Sequence, residues 1–526
     1  MKKIVSFLCI FVAGSAVAML AITVLMLTAC GNSQTKDAAN AAADPASTAF
    51  YDGAIGGEIA VSCYDTMTYR SFLEAAARSF EARYPGTKVR VETFSAMPEI
   101  KTSEQGNMRM SLVQSSDNPQ DRTDYINQVS TGLMSGNGAD IFAMDILSIP
   151  KLADGGQLEN LEAYMNTDPS FNKADYRINV IEAGKYRNGL WFMPTDYTFN
   201  YYAYDSTLIN SPSFGTGSAF TAEELFNLGA RRFDGSAKLF DTYDFVNTSG
   251  GGMAGLLFLE NLPSFVDLEK RKAHFTDGSF TALLESVKKY GELGYIPQGI
   301  TGQTPAAQGG PGLPGGPGPQ IGPGLPGFPG GPMGQELVDR YFFKSKTNFS
   351  LLQQFNRGSN RIMMISSAGS AAGIENDDEI AGIQASADGT APFGFTQGYG
   401  INANSKNKRL AWEFLKYLLS EEMQLSSMTI HALPINNAAR QQKAELILYG
   451  ESIDRGEPLD DRQREVLRSY TAAVETLSDR INGYVFQDRI IMDMISQEAY
   501  NFFSGAKTAE EAARALQNKA DLYLNE

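Results

Sequence analysis

The chain has few of the residues on which cross-links and histidine chemistry depend, with three cysteines and two histidines among 526 residues. Cys9 lies within an N-terminal apolar run and Cys30 at its end, which leaves Cys63 alone in the rest of the chain. No intramolecular disulfide can form there, and we expect Cys63 to be a buried, small apolar residue. His274 and His431 are far apart in sequence and provide little material for a His-rich zinc site or a Ser/His/Asp triad.

Positive charge is also scarce. The chain has 44 lysines and arginines but 60 aspartates and glutamates, which gives a formal charge of −16. Such a surface repels nucleic acid and anionic lipid headgroups, so neither partner is expected. The hydrophobic fraction of 43% is ample for large cores. The chain is also longer than a single domain usually is, so we expect two lobes or more.

The N-terminus carries Lys2 and Lys3 and then 26 uncharged residues that end in Leu-Thr-Ala before Cys30. This pattern is typical of a bacterial lipobox, in which a signal peptidase cuts before the cysteine and its thiol carries diacylglycerol. A plain transmembrane anchor is the alternative, since about 20 apolar residues cross a bilayer. We predict a signal peptide over residues 1–29, lipidation of Cys30, a flexible polar tether over residues 30–50, and a location on the extracellular face of the cell membrane.

The order of predicted elements indicates an α/β fold. Residues 58–63 form a β-rich run, residues 69–84 place apolar side chains at helical spacing, and residues 88–94 alternate as a strand. A helix over 121–135 is followed at 140–144 by an apolar strand of the kind buried in an α/β sheet. Later predicted elements are strands at 191–194, 199–204, 361–365 and 399–402, and helices at 221–228, 408–419, 461–481, 486–503 and 508–524.

Two of the later helices begin with a capping box, in Thr221 with Glu224 and in Thr508 with Glu511. Trp412 lies in an amphipathic helical pattern beside other apolar residues. We therefore expect its indole in the core and not in a binding site.

Composition changes abruptly over residues 302–334, which hold 13 glycines and 9 prolines. Gly-X-Pro triplets run through much of this segment, in a collagen-like rhythm. Without partner chains, a solvated polyproline II insertion beside the second lobe is the favoured interpretation.

Five segments, taken together and in order, resemble the extracellular solute-binding proteins of bacterial ABC importers, of the sugar-binding type (family 1). They are residues 136–161 (beginning GNGADIFAMD), 189–204 (GLWFMPTDYTFNYYAY), 355–364 (FNRGSNRIMM), 399–424 (YGINANSKNKRLAWEFLKYLLSEEMQ) with Leu433 and Pro434 following, and 508–524. The Gly/Pro-rich segment departs from the family's pattern and puts the local geometry of the second lobe in doubt.

The resemblance implies a type II-like fold of two α/β lobes joined by crossover strands, which close over a solute and present it to a membrane permease. We expect the first lobe mainly over residues 51–195, the second mainly over 196–400, and C-terminal helices over 401–526 that pack across both. The resemblance implies that the solute is a carbohydrate, and we expect an oligosaccharide, bound by a monomer without a cofactor. Small-molecule sites lie preferentially in such clefts between lobes.

Sugar binding needs aromatic faces against the apolar side of the ring and polar groups for its hydroxyls, since an unpaired buried hydroxyl costs about 1 to 3 kcal/mol. Such side chains are expected where strands end. Tyr64 and Asp65 follow the first predicted strand, and Asp145 ends the strand near residue 141. Both carboxylates could instead stand at the starts of helices, and this alternative stays open.

The richest stretch for a binding site has two polar acceptors and four aromatic residues within twelve positions. They are Trp191, Asp196, Tyr197, Asn200, Tyr201 and Tyr202. The period of 2 in a strand sends Tyr202 and Tyr204 to one face and Tyr201 to the other. At most half of these tyrosines can therefore face a cleft.

Within this stretch we favour Trp191, Asp196 and Asn200 as cleft residues and keep Tyr197 as a further candidate. Tyr399 joins them because it matches the late cleft-lining stretch of the resembling family. No carboxylate pair can be given general acid and base roles from sequence, and we expect no enzyme.

Other functions compete with solute import. A surface receptor could report its solute to a membrane sensor kinase, a scaffold could use the Gly/Pro-rich segment as its contact, and an extracellular glycan hydrolase or lyase is the enzyme option. Aromatics and carboxylates also suit cationic peptides or polyamines. An irregular calcium site in the loops stays open as well.

Overall fold

The structure is a computed structural model, which describes residues 44–64, 69–94, 119–136, 138–240, 253–296, 341–347, 378–425, 432–449 and 461–525. The leader with Cys30, the Gly/Pro-rich segment, Asp65 and the strand predicted at 361–365 lie outside these described residues. Among the helices that the structure describes, none combines the length and apolarity that a membrane span requires.

Strands and helices alternate along most of the described chain. The strands are β1 (Gly57–Tyr64), β2 (Thr87–Phe94), β3 (Ile141–Ala143), β4 (Met193–Pro194), β5 (Asp196–Tyr197), β6 (Asn200–Asp205), β7 (Ala219–Phe220), β8 (Lys238–Phe240), β9 (Val266–Asp267), β10 (Lys272–Ala273), β11 (Tyr341–Thr347), β12 (Asp378–Gln384), β13 (Pro392–Phe393), β14 (Gly398–Ile401), β15 (Leu433–Pro434) and β16 (Gly483–Tyr484). The helices are α1 (Thr48–Tyr51), α2 (Tyr69–Arg83), α3 (Pro119–Met134), α4 (Ile149–Asp154), α5 (Leu161–Thr167), α6 (Ile178–Ala183), α7 (Ala222–Ala230), α8 (Met253–Phe265), α9 (Ser279–Glu292), α10 (Lys408–Leu418), α11 (Glu421–Gln424), α12 (Asn437–Tyr449), α13 (Asp461–Ser478), α14 (Arg489–Phe503) and α15 (Ala509–Asn525), with a 3₁₀ turn at Lys173–Asp175.

The β-α-β opening predicted from sequence is confirmed by β1, α2 and β2. Helix α2 ends at Arg83, and Gly86 then adopts a positive φ of 93°, which lets the chain turn back into β2. Both capping boxes form, because the Glu224 and Glu511 N–H groups bond to the hydroxyls of Thr221 and Thr508 while each glutamate bonds back to the threonine N–H.

Two five-stranded sheets organise the described chain into two lobes. The first sheet has the order β2-β1-β3-β14-β4, and the second has the order β7-β12-β6-β11-β8. In the first sheet β1 is parallel to β2 and β3, whereas β14 is antiparallel to β3 and β4. The carboxyl ends of β1, β2 and β3 therefore meet at one side of this sheet, which we call the carboxyl edge.

Each sheet has its own hydrophobic core. The first core includes Trp412 of α10 and Phe80 of α2, and the second includes Phe240 of β8 and Phe280 of α9. The alternation predicted for β6 is confirmed, because Tyr201 packs in the first core while Tyr202 and Tyr204 pack in the second. The strand β6 thus contributes to both lobes.

In the part of the chain that the structure describes, three neighbouring segments cross between the lobes. The first crossover joins β4 to β6 and the second joins β12 to β14, and they pair where Thr198 and Gly394 exchange N–H···O bonds of 2.8 Å. A third crossover, at β16, pairs with β13 of the second and leads from α13 in the first core to α14 in the second. Sequence reasoning found the first crossover and did not find the third.

The placement of Trp412 in the core and of Cys63 as a buried thiol are both confirmed. Trp412 is fully buried among Tyr164 and Phe171, with ring centroids 5.3 and 5.5 Å away. Its indole N–H donates a 2.7 Å hydrogen bond to Oδ2 of Asp168, itself a buried carboxylate. The tryptophan thus satisfies a charge inside the first lobe.

We expect Trp412→Phe to lower the free energy of unfolding by about 1 to 3 kcal/mol, because Asp168 loses a charge-assisted hydrogen bond in the core. Thermal and urea denaturation would measure the change. Leu522→Ala on α15, where the side chain is 66% exposed, is the control and should leave stability nearly unchanged. A Trp412→Phe variant as stable as the parent would contradict this account of the indole.

Candidate functional site

The carboxyl edge of the first sheet faces the second lobe. Gly398 pairs with Pro194 in the first sheet, and the Met144 N–H donates a 2.8 Å hydrogen bond to the Gly398 carbonyl just beyond β3. The first crossover leaves β4 at this edge and the second enters β14 at it. Side chains at the ends of β1, β2 and β3 therefore lie on the cleft side of the first lobe.

Three aromatic rings form a cluster at this edge. Tyr64 and Phe94 end neighbouring strands in register, with ring centroids 6.4 Å apart. Tyr125 of α3 lies 5.9 Å from Tyr64 and 5.6 Å from Phe94, and its hydroxyl shares a 3.3 Å hydrogen bond with that of Ser62. We call Tyr64, Phe94 and Tyr125 the aromatic cluster. Sequence reasoning predicted Tyr64, but it gave no signal for Phe94 or Tyr125, whose proximity depends on the fold.

Asp145 is the carboxylate of the carboxyl edge. It follows β3 at a bend and is half-buried. Helix α4 begins later, with Ser148 at its N-cap, so Asp145 does not cap that helix. Burial raises the pKa of both Tyr125 and Tyr399, and the nearby charge of Asp145 raises each further. The carboxylate thus lies among phenols that stay protonated at neutral pH.

Tyr399 reaches the same region from β14. It pairs with Ala143 of β3 on one side and with Met193 of β4 on the other, and it is fully buried. Asp145 and Tyr399, two of the predicted binding residues, therefore lie near each other. Tyr64 ends its strand at the same edge, but the register puts its side chain on the opposite face of the sheet from that of Tyr399.

Asp196 lies at the base of the first crossover and is 5% exposed. Its carboxylate accepts hydrogen bonds from the Thr396 N–H at 2.7 Å and the Gln397 N–H at 3.2 Å, and from the Thr396 hydroxyl. Burial raises its pKa to about 6, although these hydrogen bonds and the charge of Lys443 favour the ionised form. Asp196 thus links the first crossover to the second by hydrogen bonds.

The other predicted residues are placed away from the aromatic cluster. Trp191 donates its indole N–H to the Tyr186 carbonyl at 3.0 Å and precedes β4, so it lies further from the carboxyl edge. Tyr197 is fully buried, with its hydroxyl 3.3 Å from that of Ser478. Asn200 begins β6 in the second sheet and is half-buried. Their roles in binding stay predictions.

In the second lobe a buried glutamate, Glu260, links β6 and β12, the strands that the first two crossovers connect to the first lobe. The Glu260 carboxylate accepts hydrogen bonds from Tyr202 of β6, from the side-chain amide of Gln384 in β12 at 3.0 Å, and from the Ala222 N–H of α7 at 2.9 Å. Burial is the main cause that raises its pKa to about 7. Glu260 and Asp196 therefore fix the two ends of the paired crossovers.

A recess of about 310 Å³ lies beside the third crossover, where the ring centroids of Tyr186 and Phe486 are 5.3 Å apart. Arg187 at its rim pairs with Asp154 at 3.1 Å and also donates to the Glu269 carbonyl of the second lobe at 3.1 Å. The recess is thus bordered by an interlobe contact and contains none of the predicted binding residues.

The described residues offer no site for a metal ion. Within the described ranges no group of three or more His, Cys, Asp or Glu side chains could hold a metal ion. Among the described residues, the carboxyl edge offers aromatic rings, the carboxylate of Asp145 and protonated phenols, an arrangement suited to holding a polar molecule.

Comparison with known proteins identifies the fold. No protein-family model and no curated protein sequence matches the chain. The sugar-binding protein MalE from the phytopathogen Xanthomonas citri superposes with a TM-score of 0.52 at 12% identity, covering 89% of this chain and 98% of that one. An extracellular solute-binding protein family 1 from Alicyclobacillus acidocaldarius matches with a TM-score of 0.49 at 14% identity, covering 90% of this chain and 100% of that one. The chain thus has the two-lobed α/β fold of the Xanthomonas citri protein, as the sequence resemblance predicts.

The raised pKa of Glu260 predicts how stability changes with pH. Because the folded pKa of about 7 exceeds the ordinary value of 4.5, protonated Glu260 stabilises the fold at low pH, and this contribution is lost as pH rises through 7. Relative to the parent, Glu260→Gln should gain on the order of 3 kcal/mol of stability between pH 4.5 and pH 8.

Urea denaturation of both proteins at several pH values would measure this difference. Glu285→Gln removes one charge from the exposed side of α9 and serves as the control. A stability difference between Glu260→Gln and the parent that stays constant with pH would show that Glu260 does not titrate in this range.

Proposed function

We propose that the protein is a non-catalytic, lipid-anchored receptor that captures a carbohydrate between its lobes and delivers it to an ABC importer. The observation that carries this proposal is the carboxyl edge, where Tyr64, Phe94 and Tyr125 stand beside Asp145 on the cleft side of the first lobe. The sugar-binding protein from Xanthomonas citri has the same fold, which supports the choice of ligand class.

The chemistry of the edge suits a sugar ring. Aromatic faces pack against the apolar C–H side of a ring, and carboxylate and phenol groups pair with its hydroxyls. Closure of two lobes about paired crossovers would enclose the solute and create a shape that a permease can recognise. No step in this function requires bond making or breaking by the protein.

Anchoring to the membrane is proposed on the sequence of the leader. A thioether-linked lipid at Cys30, followed by a polar tether, would hold the two lobes at the extracellular face, within reach of permease subunits. A monomer suffices for this role, because both sides of the cleft come from one chain.

Solute binding gives a direct test. In a thermal-shift screen with mono-, di- and oligosaccharides, we expect one sugar class to raise the melting temperature, since a ligand that binds only the native state stabilises it by RT ln(1 + [L]/Kd). Asp145→Asn should weaken that sugar's affinity about 10- to 100-fold, because a hydrogen bond to a charged group is worth about 1.5 to 3 kcal/mol.

The control for Asp145→Asn is the same change at Asp234, an exposed turn residue whose carboxylate accepts from the Ser236 N–H at 2.8 Å. Asp234→Asn should bind sugar like the parent. Thermal shifts with peptides or polyamines alone would keep the fold and overturn the carbohydrate assignment, while the absence of any shift would remove the main support for a receptor.

Lipidation is tested separately. In cells fed a labelled fatty acid, the parent chain should incorporate label and Cys30→Ser should not, because only that thiol follows the lipobox. Cys9→Ser, within the leader, is the matched control and should be labelled like the parent. An unlabelled parent that remains in the membrane fraction would favour the transmembrane-anchor alternative.

A further inference from the structure

Gln397 carries a buried polar atom that the fold leaves unsatisfied. The residue precedes β14 in the second crossover and is 5% exposed. Its side-chain oxygen Oε1 is buried and accepts no hydrogen bond. Most buried polar groups in native proteins have a partner, so an exception of this kind calls for an explanation.

The main chain holds Gln397 firmly in this position. Its N–H donates to Asp196 at 3.2 Å, and its carbonyl accepts from the Thr195 N–H at 2.9 Å and the Thr195 hydroxyl at 3.2 Å. The backbone therefore cannot shift to bring Oε1 to a donor without breaking bonds at the base of both crossovers.

The register of the first sheet places Gln397 beside Asp145. Tyr399 pairs with Ala143, and the next residue inward on each chain is linked by the hydrogen bond from Met144 to Gly398. Asp145 directly follows Met144, and Gln397 directly precedes Gly398, so both residues lie next to the last hydrogen bond of this pairing. The two acceptor groups therefore belong to the same part of the carboxyl edge.

We propose that Gln397 is a specificity-determining residue of the cleft, whose amide oxygen acts together with the Asp145 carboxylate to accept hydrogen bonds from two adjacent hydroxyl groups of the solute. A vicinal diol on a sugar ring presents two donors on neighbouring carbons, which matches two neighbouring acceptors. The inference rests on the proposed function and narrows it to solutes that carry such a diol. A neutral amide suits this place, because a second carboxylate beside Asp145 would raise the pKa of one of the pair.

The test uses Gln397→Met, which keeps the length of the side chain and removes the acceptor. Without a solute, we expect its melting temperature to rise by about 2 to 4 °C, because an unsatisfied buried polar group is lost. Its affinity should fall about tenfold for whichever of glucose, galactose, mannose, maltose and maltotriose the parent binds most tightly in calorimetry. A glutamine with a purely structural role would not give a rise in melting temperature together with a fall in affinity when it is replaced.

Gln384→Met is the matched control. Gln384 is also a buried glutamine near the crossovers, but its amide donates to Glu260 at 3.0 Å. This variant should lose stability and keep sugar affinity. Gln397→Leu, which also removes the acceptor, should lose affinity to a similar extent and provides a second variant if Gln397→Met folds poorly.

Deoxy analogues of the bound sugar identify the hydroxyls. The analogue that lacks the hydroxyl bound by Gln397 should bind the parent more weakly, and Gln397→Met should weaken it no further, because the two changes remove one interaction. Unchanged sugar affinity in a folded Gln397→Met variant would overturn this inference and leave the receptor function standing. If the parent binds no sugar at all, the proposed function fails and the inference fails with it.

Discussion

The pairing of the first two crossovers is the constraint on which the rest of the structure depends. The two crossovers, each of which links a strand of one sheet to a strand of the other, run side by side where Thr198 and Gly394 exchange main-chain hydrogen bonds. Because β4 and β14 are antiparallel and adjacent, both crossovers leave the first sheet at the same edge. The parallel strands β1, β2 and β3 end at that edge too, so the pairing turns their ends towards the other lobe and creates a cleft.

Two buried carboxylates form hydrogen bonds that reinforce this pairing, and the free-energy cost of burying them depends on pH. In the first lobe, Asp196 accepts a hydrogen bond from Thr396 of the second crossover. In the second lobe, Glu260 accepts hydrogen bonds from Tyr202 and Gln384, which lie on the strands that the two crossovers join. Burial raises the pKa values of both, to about 6 and about 7. Each charge therefore destabilises the fold where it is ionised. Hydrogen bonds from fixed N–H, hydroxyl and amide donors offset part of that penalty and give each carboxylate one geometry, which a rigid hinge requires.

Much of the fold could be predicted from sequence because its signals are local. Helical spacing, capping boxes and the period of 2 in β6 located elements and even divided Tyr201 from Tyr202 between the two cores. The site was predictable only where strand ends marked it, as at Tyr64 and Asp145. Tyr125 comes from a helix and Gln397 from an irregular segment, and their neighbours are distant in sequence. Sheet register, which the sequence does not reveal, brings them to the carboxyl edge.

Hydrogen-bonding capacity at this edge favours a polyhydroxylated solute over a polyamine. Asp145 and the amide oxygen of Gln397 accept, whereas the phenols near Asp145 keep their protons and can donate as well as accept. An ammonium group only donates, so a polyamine could pair with the acceptors but could not accept a hydrogen bond from a phenol. A sugar hydroxyl can donate to a carboxylate and accept from a phenol at once. With aromatic rings for its apolar face, a sugar satisfies every kind of group that the fold collects there.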